Sequence, residues 1–216
     1  MKSQVRGGTR WKRFAVVMVP SVAATAAIGV GLAQGALAAS FSISGQEFKV
    51  KADSLVGKDF VQYGSLASGK DLEGKPFAEP VGVSGFSEAW ITNMCQSVVT
   101  PKVPFIGNVS LELRAGTDNG EPVYAKDIYL DVSSLKADAE FGNIDIGVAA
   151  GSLPKSQGKP GIQPGTQANP YGFSQRAETA TLKNVEQKAW ATTAGTFKLP
   201  DLKLSLHKGT KECFSE

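Results

Sequence analysis

The chain has one histidine, His207, and two cysteines, Cys95 and Cys213, in 216 residues. A single imidazole excludes zinc sites built on three His, on two His plus Glu, or on H-E-x-x-H within one chain. It also obliges any Ser–His or Cys–His hydrolase chemistry to use His207 as base. With so few His and Cys, no metal ligands and no cofactor are assigned. The G-x-S-x-G elbow of the α/β-hydrolases is missing. Its nearest approach is GVSGF at 82–86, where Phe86 replaces the last glycine that the crowded strand-to-helix turn requires. No phosphate-cradling glycine loop leads into a helix. Beyond the N-terminal segment no window sustains an apolar stripe of period 3.6, which argues against a helical body.

Acids are missing from the N-terminus. MKSQVRGGTRWKRF carries Lys2, Arg6, Arg10, Lys12 and Arg13, and an apolar run ending in Ala36-Leu37-Ala38 follows. A basic region, an apolar region and an A-x-A site describe a Sec-type signal peptide over 1–38. The expected product is a secreted, extracellular domain at 39–216 with no transmembrane segment. The alternative is a protein tethered to the membrane by an uncleaved leader. The leader holds five of the 23 basic residues and no acid, so the rest of the chain has 18 basic against 20 acidic residues, net −2. The excess of positive charge belongs to the leader, and nucleic acid is not an expected partner. In an oxidising space two thiols favour a disulfide, here Cys95–Cys213, which would clip the C-terminus to the body.

What the body does contain is alternation. Val109, Leu111, Leu113 and Ala115 alternate with polar residues, as do Ile128, Leu130 and Val132, and Leu202, Leu204 and Leu206. These read as half-buried strands, and the two runs around Asn119-Gly120 as a hairpin. Glycine and proline cluster in a long loop at 151–175. The fold expected is all-β: one domain, antiparallel and β-sandwich-like.

A phrase recurs in AWITNMCQS (89–97), AEFGNIDIG (139–147) and ATLKNVEQK (180–188). The apolar residues two before and one after each Asn cannot share a face of an unbroken strand. The phrase therefore predicts a bend or bulge at Asn93, Asn143 and Asn184, where Asn tolerates the left-handed conformation. A β-solenoid with stacked Asn is the alternative fold that would repeat such corners.

Candidate chemistry is sparse. A serine mechanism would pair Ser205 or Ser84 with His207, and Ser205 shares a strand face with His207 at about 7 Å between Cα atoms. Phe60, Tyr63, Trp90, Trp190 and Phe197 are candidates for an apolar surface or cavity that takes a lipid. The stretches FVQYGS, NMCQSVVT, FGNIDIG, KAWATTAGTFKLP and KECF resemble a family of small secreted actinobacterial proteins often labelled cholesterol esterase. That resemblance implies hydrolysis of steryl and fatty-acid esters outside the cell, and implies no catalytic residues. The residues themselves suit a non-catalytic envelope or matrix protein that binds apolar lipid or a surface partner.

Overall fold

The computed structural model describes residues 43–117, 120–154 and 158–215. The expected leader and Asn119 lie outside the described residues. The described chain is strand throughout, apart from loops and a single 3-10 turn at Ala150–Ser152. The strands are β1 (Ile43–Ser44), β2 (Phe48–Lys70), β3 (Pro76–Thr92), β4 (Met94–Val103), β5 (Gly107–Ala115), β6 (Val123–Gly142), β7 (Asp145–Ala149), β8 (Phe173–Thr193), β9 (Thr196–Lys198) and β10 (Lys203–Lys208). Among the described residues no helix is long and apolar enough to cross a membrane.

All ten strands belong to one sheet, antiparallel except for the short β1–β2 pairing. In place of two facing sheets, or of stacked solenoid coils, this sheet closes on itself. β2 pairs with β3, β3 with β6, β6 with β8, and β8 returns to β2. The remaining strands continue these four. β3 and β4 form one run beside β2, reaching from Pro76↔Lys70 to Ser97↔Lys49. β5 and β6 follow that run in a single direction, with Met94↔Ala115 and Ile91↔Val123. β8, β9 and β10 in turn follow β6 and then β5.

The hairpin expected at Asn119-Gly120 is thus absent, since β5 and β6 pair with β4 and β3 rather than with each other. The long β3–β4 run templates both, so β5 and β6 lie end to end along it. The reversal between the β3–β4 run and β5 comes instead at 104–106, where Ile106 N–H donates to the Val103 carbonyl.

Closing so few strands demands sharp coiling, and the chain supplies it at regular breaks. Lumen-facing residues advance by two along each strand except where they advance by three. The longer steps are Ile91 to Met94, Ala125 to Ile128, Phe141 to Ile144 and Leu182 to Val185, all packed in one core. Each spans a residue in the left-handed region: Asn93 (φ 52°), Asp127 (φ 50°), Asn143 (φ 53°) or Asn184 (φ 53°). All three Asn of the repeated phrase are such left-handed residues. At Asn184 the β6–β8 register also shifts, between Lys136↔Glu186 and Asp138↔Lys183, and a bulge of this kind bends the strand and increases its twist. The register runs unbroken past Asn93 (Ser54↔Thr92, Lys51↔Cys95) and Asn143 (Gly142↔Thr179, Asp145↔Arg176), so the strand bends there without an extra residue. Each of the three Asn is pinned by an acid on the neighbouring strand: its Nδ2 donates to Asp53 at 2.9 Å, to Glu178 at 2.6 Å and to Asp138 at 2.7 Å, respectively.

A second core lies on the outer face. Val61, Tyr63, Val81 and Val83 are buried there beneath Ala150 and Leu153, with Ile162 and Ala168 packed against them. The Gln163 N–H donates to Tyr63 Oη at 2.7 Å. The described part of the glycine- and proline-rich segment before β8 is therefore a cover over this face.

The far end is clipped as the cysteine spacing suggested. Cys95 on β4 bonds Cys213, 118 residues away, with Cα atoms 5.8 Å apart. The tail is also held by Cys213 N–H to Ser97 Oγ (3.0 Å), Lys211 N–H to Ser110 Oγ (2.8 Å) and Lys49 Nζ to Glu212 (2.9 Å).

Candidate functional site: the barrel lumen

Four strands send their inward residues into one cavity of about 230 Å³. Leu55, Phe60, Phe86, Leu130, Phe141 and Leu182 form most of its wall. Phe60 packs between Phe86 and Phe141, at ring-centroid distances of 5.3 and 5.1 Å. Gly57 makes this possible: a Cβ there would stand 2.2 Å from Phe86 Cδ1. Leu135 and Ala139 also line the cavity yet are exposed, so they form its mouth. The mouth lies where β6 runs on past the end of its β3 ladder at Val132 and pairs with β8 alone.

Three polar side chains interrupt this wall: Gln62, Ser84 and Gln187. Gln62 Nε2 donates to Ser84 Oγ at 3.0 Å, and Gln175 Nε2 donates to Gln62 Oε1 at 2.6 Å. Gln187 differs. It is 5 % exposed as a residue, yet its amide is not among the fully enclosed side-chain atoms without a partner. It also lines a smaller chamber of about 30 Å³ together with Gln96, Thr192 and Phe197.

Beyond the chamber the lumen face runs on into an open apron. Leu113 packs on the lumen core, and its in-register partner is Leu204, while Leu111 pairs with Leu206. Leu204 and Leu206 are 59 % and 69 % exposed. The β10 leucines, expected to be half-buried, are thus largely exposed, because β2 begins at Phe48 and among the described residues no strand covers this end of the face.

The sequence candidates scatter. Ser84 and Phe60 meet in the lumen, and Phe197 lines the chamber. Tyr63 is buried in the outer core, where Trp190 stacks on Phe77 at 4.9 Å. Burial pushes the Tyr63 hydroxyl up to about 12. Trp90 lies on the outside, over Tyr124 and under Lys58 Nζ. Ser205 and His207 sit on β10 opposite Glu112 and Ser110. The His207 Nε2 is 3.3 Å from Lys211 Nζ, while Glu112 is engaged by Arg114 at 2.9 Å and Lys211 at 3.5 Å. The Arg114 hydrogen bond, the largest influence, holds the Glu112 carboxyl below the usual carboxylate range. The Glu112 carboxylate thus serves cations. Ser84, on β3, lies four ladders from β10 in the sheet order.

Of the polar lumen residues, Ser84 is among the sequence candidates, whereas Gln62 and Gln187 are not. Gln187 lies three positions after Asn184 in the repeated phrase, and the phase shift at that Asn decides that it faces inward.

Two other features carry titratable groups. An outer groove of about 440 Å³ is lined by Asp59, Asn143, Asp145, Lys159, Arg176 and Glu178. Its charges engage one another, Lys159 with Asp59 at 3.6 Å and Arg176 with Asp145 at 2.8 Å. Among the described residues no group of three or more His, Cys, Asp or Glu could hold a metal ion. On β6, Asp131 pairs in register with Val83 of the outer core, and burial raises its carboxyl above the usual range.

The fold and lumen define a small closed β-barrel with an apolar interior and a few inward polar groups. The chain belongs to the DUF6230 family, a family of unknown function, which it matches over residues 44–214. No cholesterol esterase name is attached to that match, so the activity implied by the resemblance has no support from it. No curated protein and no solved structure matches the chain.

Proposed function

We propose that this is a non-catalytic β-barrel that binds a slender apolar molecule in its lumen. The observation that carries the reading is the aromatic- and leucine-lined cavity of about 230 Å³ that opens at Leu135 and Ala139. Binding pockets are concave, mostly apolar and carry a few placed polar groups, and drug-sized ligands need roughly 300–1,000 Å³. A single acyl-type chain suits the smaller volume better than a fused-ring steryl ester. The leucine apron beyond the chamber supplies apolar surface for such a chain to enter from or extend onto.

Ester hydrolysis is the weaker reading. The lumen serine receives a hydrogen bond from Gln62, and the only imidazole stands on β10 beside a lysine. A serine nucleophile needs a base within hydrogen-bond reach. The working location proposed is outside the cytoplasm. The leader-like N-terminus supports export, and a body closed by a disulfide suits an oxidising space. A cell-envelope lipid is the partner this arrangement fits.

The test uses the full chain with its disulfide intact. A polarity-sensitive fluorescent probe should bind the purified protein and be displaced by medium-chain apolar molecules. Ala137→Trp, which fills the lumen, should abolish binding while the protein stays folded. In parallel, hydrolysis of short and long acyl esters is measured for the native chain, Ser84→Ala and His207→Ala. Turnover that disappears in either variant would replace the binding reading with the hydrolase one.

A further inference from the structure

The proposed binding reading leaves the chemistry of the occupant open, and two features of the lumen narrow it. The first is charge. The cavity wall contains no Lys, Arg, His, Asp or Glu. An ion carried into such a space would lose its hydration with nothing to replace it, a cost far above that of a neutral group. The second is Gln187. A buried amide ordinarily finds hydrogen-bond partners, and one left without them costs free energy. Gln187 is only 5 % exposed and lines both cavities, yet its amide is not among the fully enclosed side-chain atoms left without a partner, so it stays open to the space between them, where a ligand group can reach it.

The register places a second amide nearby. Gln187 on β8 pairs with Val50 on β2, which pairs in turn with Gln96 on β4. Gln187 and Gln96 both line the chamber of about 30 Å³. That space exceeds the roughly 10–15 Å³ needed to seat one water-sized group. It is too small for a chain segment of any length. An amide offers both a donor and an acceptor, so it can serve a hydroxyl or a carbonyl equally well.

We infer that the lumen selects an uncharged chain molecule bearing one hydroxyl or carbonyl, whose oxygen seats against Gln187 while the chain fills the apolar cavity. Gln62 is engaged by both Ser84 and Gln175, and Ser84, which accepts from Gln62, offers a ligand only its single hydroxyl proton, whereas an amide offers both a donor and an acceptor. The inference rests on the binding reading above and adds to it a preference for neutral polar-tipped chains over both hydrocarbons and carboxylates.

Three probes of one length separate these possibilities: 1-octanol, octane and octanoate at pH 8, each titrated against the full disulfide-bonded chain by displacement of the same fluorescent probe. Octanol should bind about three- to tenfold tighter than octane, the range expected for one net hydrogen bond. Octanoate should bind more weakly than octanol. In Gln187→Met, which keeps the side-chain volume, octanol should lose its advantage while octane binds at least as well as before. Equal binding of octanol and octane by the native chain overturns the inference while the lumen reading stands. Preference for octanoate overturns it in the same way. Failure of all three probes to bind removes the lumen reading and the inference with it. The native-chain comparison stands alone should Gln187→Met fail to fold.

Discussion

Asn93 donates its side-chain amide to the Asp53 carboxylate across the β2–β3 ladder at 2.9 Å. The contact locks a residue whose backbone is left-handed (φ 52°) beside one that is not, and the same pairing recurs at Asn143–Glu178 and Asn184–Asp138. A residue with a Cβ pays about 1–2 kcal/mol to adopt this conformation, Asn less and glycine nothing. The three pairs are where the barrel bends, so they are where single substitutions act most selectively.

Asn184→Ala keeps the Cβ and removes the amide. It should lower stability by about 2 kcal/mol, from the backbone cost plus one charge-assisted hydrogen bond. Asn184→Gly loses the hydrogen bond but not the backbone fit and should cost about half as much. Urea midpoints at unchanged m-value check the order. Equal losses for the two variants would show that backbone conformation at this bulge contributes nothing.

Gly57 faces Phe86 so closely that a methyl group would stand 2.2 Å from the ring. Gly57→Ala should cost about 1–3 kcal/mol as an overpacked core. It should also weaken probe binding, because Phe86 is part of the cavity wall. Thermal unfolding and probe titration on the same sample read both effects.

The Cys95–Cys213 bridge closes 118 residues of sequence separation. Loop-closure entropy at that length corresponds to about 4–5 kcal/mol. A Cys95→Ser, Cys213→Ser double variant should unfold at markedly lower urea concentration than the native chain. Mild reduction should reproduce the shift.

Asp131 gives a pH signature. Its carboxyl is raised by burial, so the folded state holds a proton that the unfolded chain has released. Stability linked to this group is fully present below the ordinary aspartate pKa, roughly 3.9. It declines as pH rises from there through the raised folded value. Asp131→Asn should remove that decline and leave the variant more stable than the native chain at neutral pH. Glu112 runs the opposite way, since its lowered carboxyl contributes stability that is lost as pH falls through the folded value. Urea midpoints from pH 3 to 8 for the native chain, Asp131→Asn and Glu112→Gln separate the two slopes.

Much of the local architecture was legible in the chain. The missing 3.6 periodicity, the alternating runs and the odd spacing around three asparagines pointed to strands that bend or bulge at Asn93, Asn143 and Asn184, and all three have left-handed backbones. The cysteine pair was legible as well, because a lone pair of thiols has one possible intramolecular bond. These are properties of residue type and near spacing, which act before any distant contact forms. Closure of the sheet left no local trace. Whether β8 returns to β2, whether the runs on either side of Asn119-Gly120 pair with each other, and whether a leucine stripe is covered all depend on which strand lies alongside. The same holds for the site: Phe60, Ser84 and Gln187 come together only because β2, β3 and β8 lie side by side in the closed sheet, and His207 stays apart because β10 pairs with β5 instead. Alternation assigns a residue to one of two faces, and only long-range register decides what each face meets.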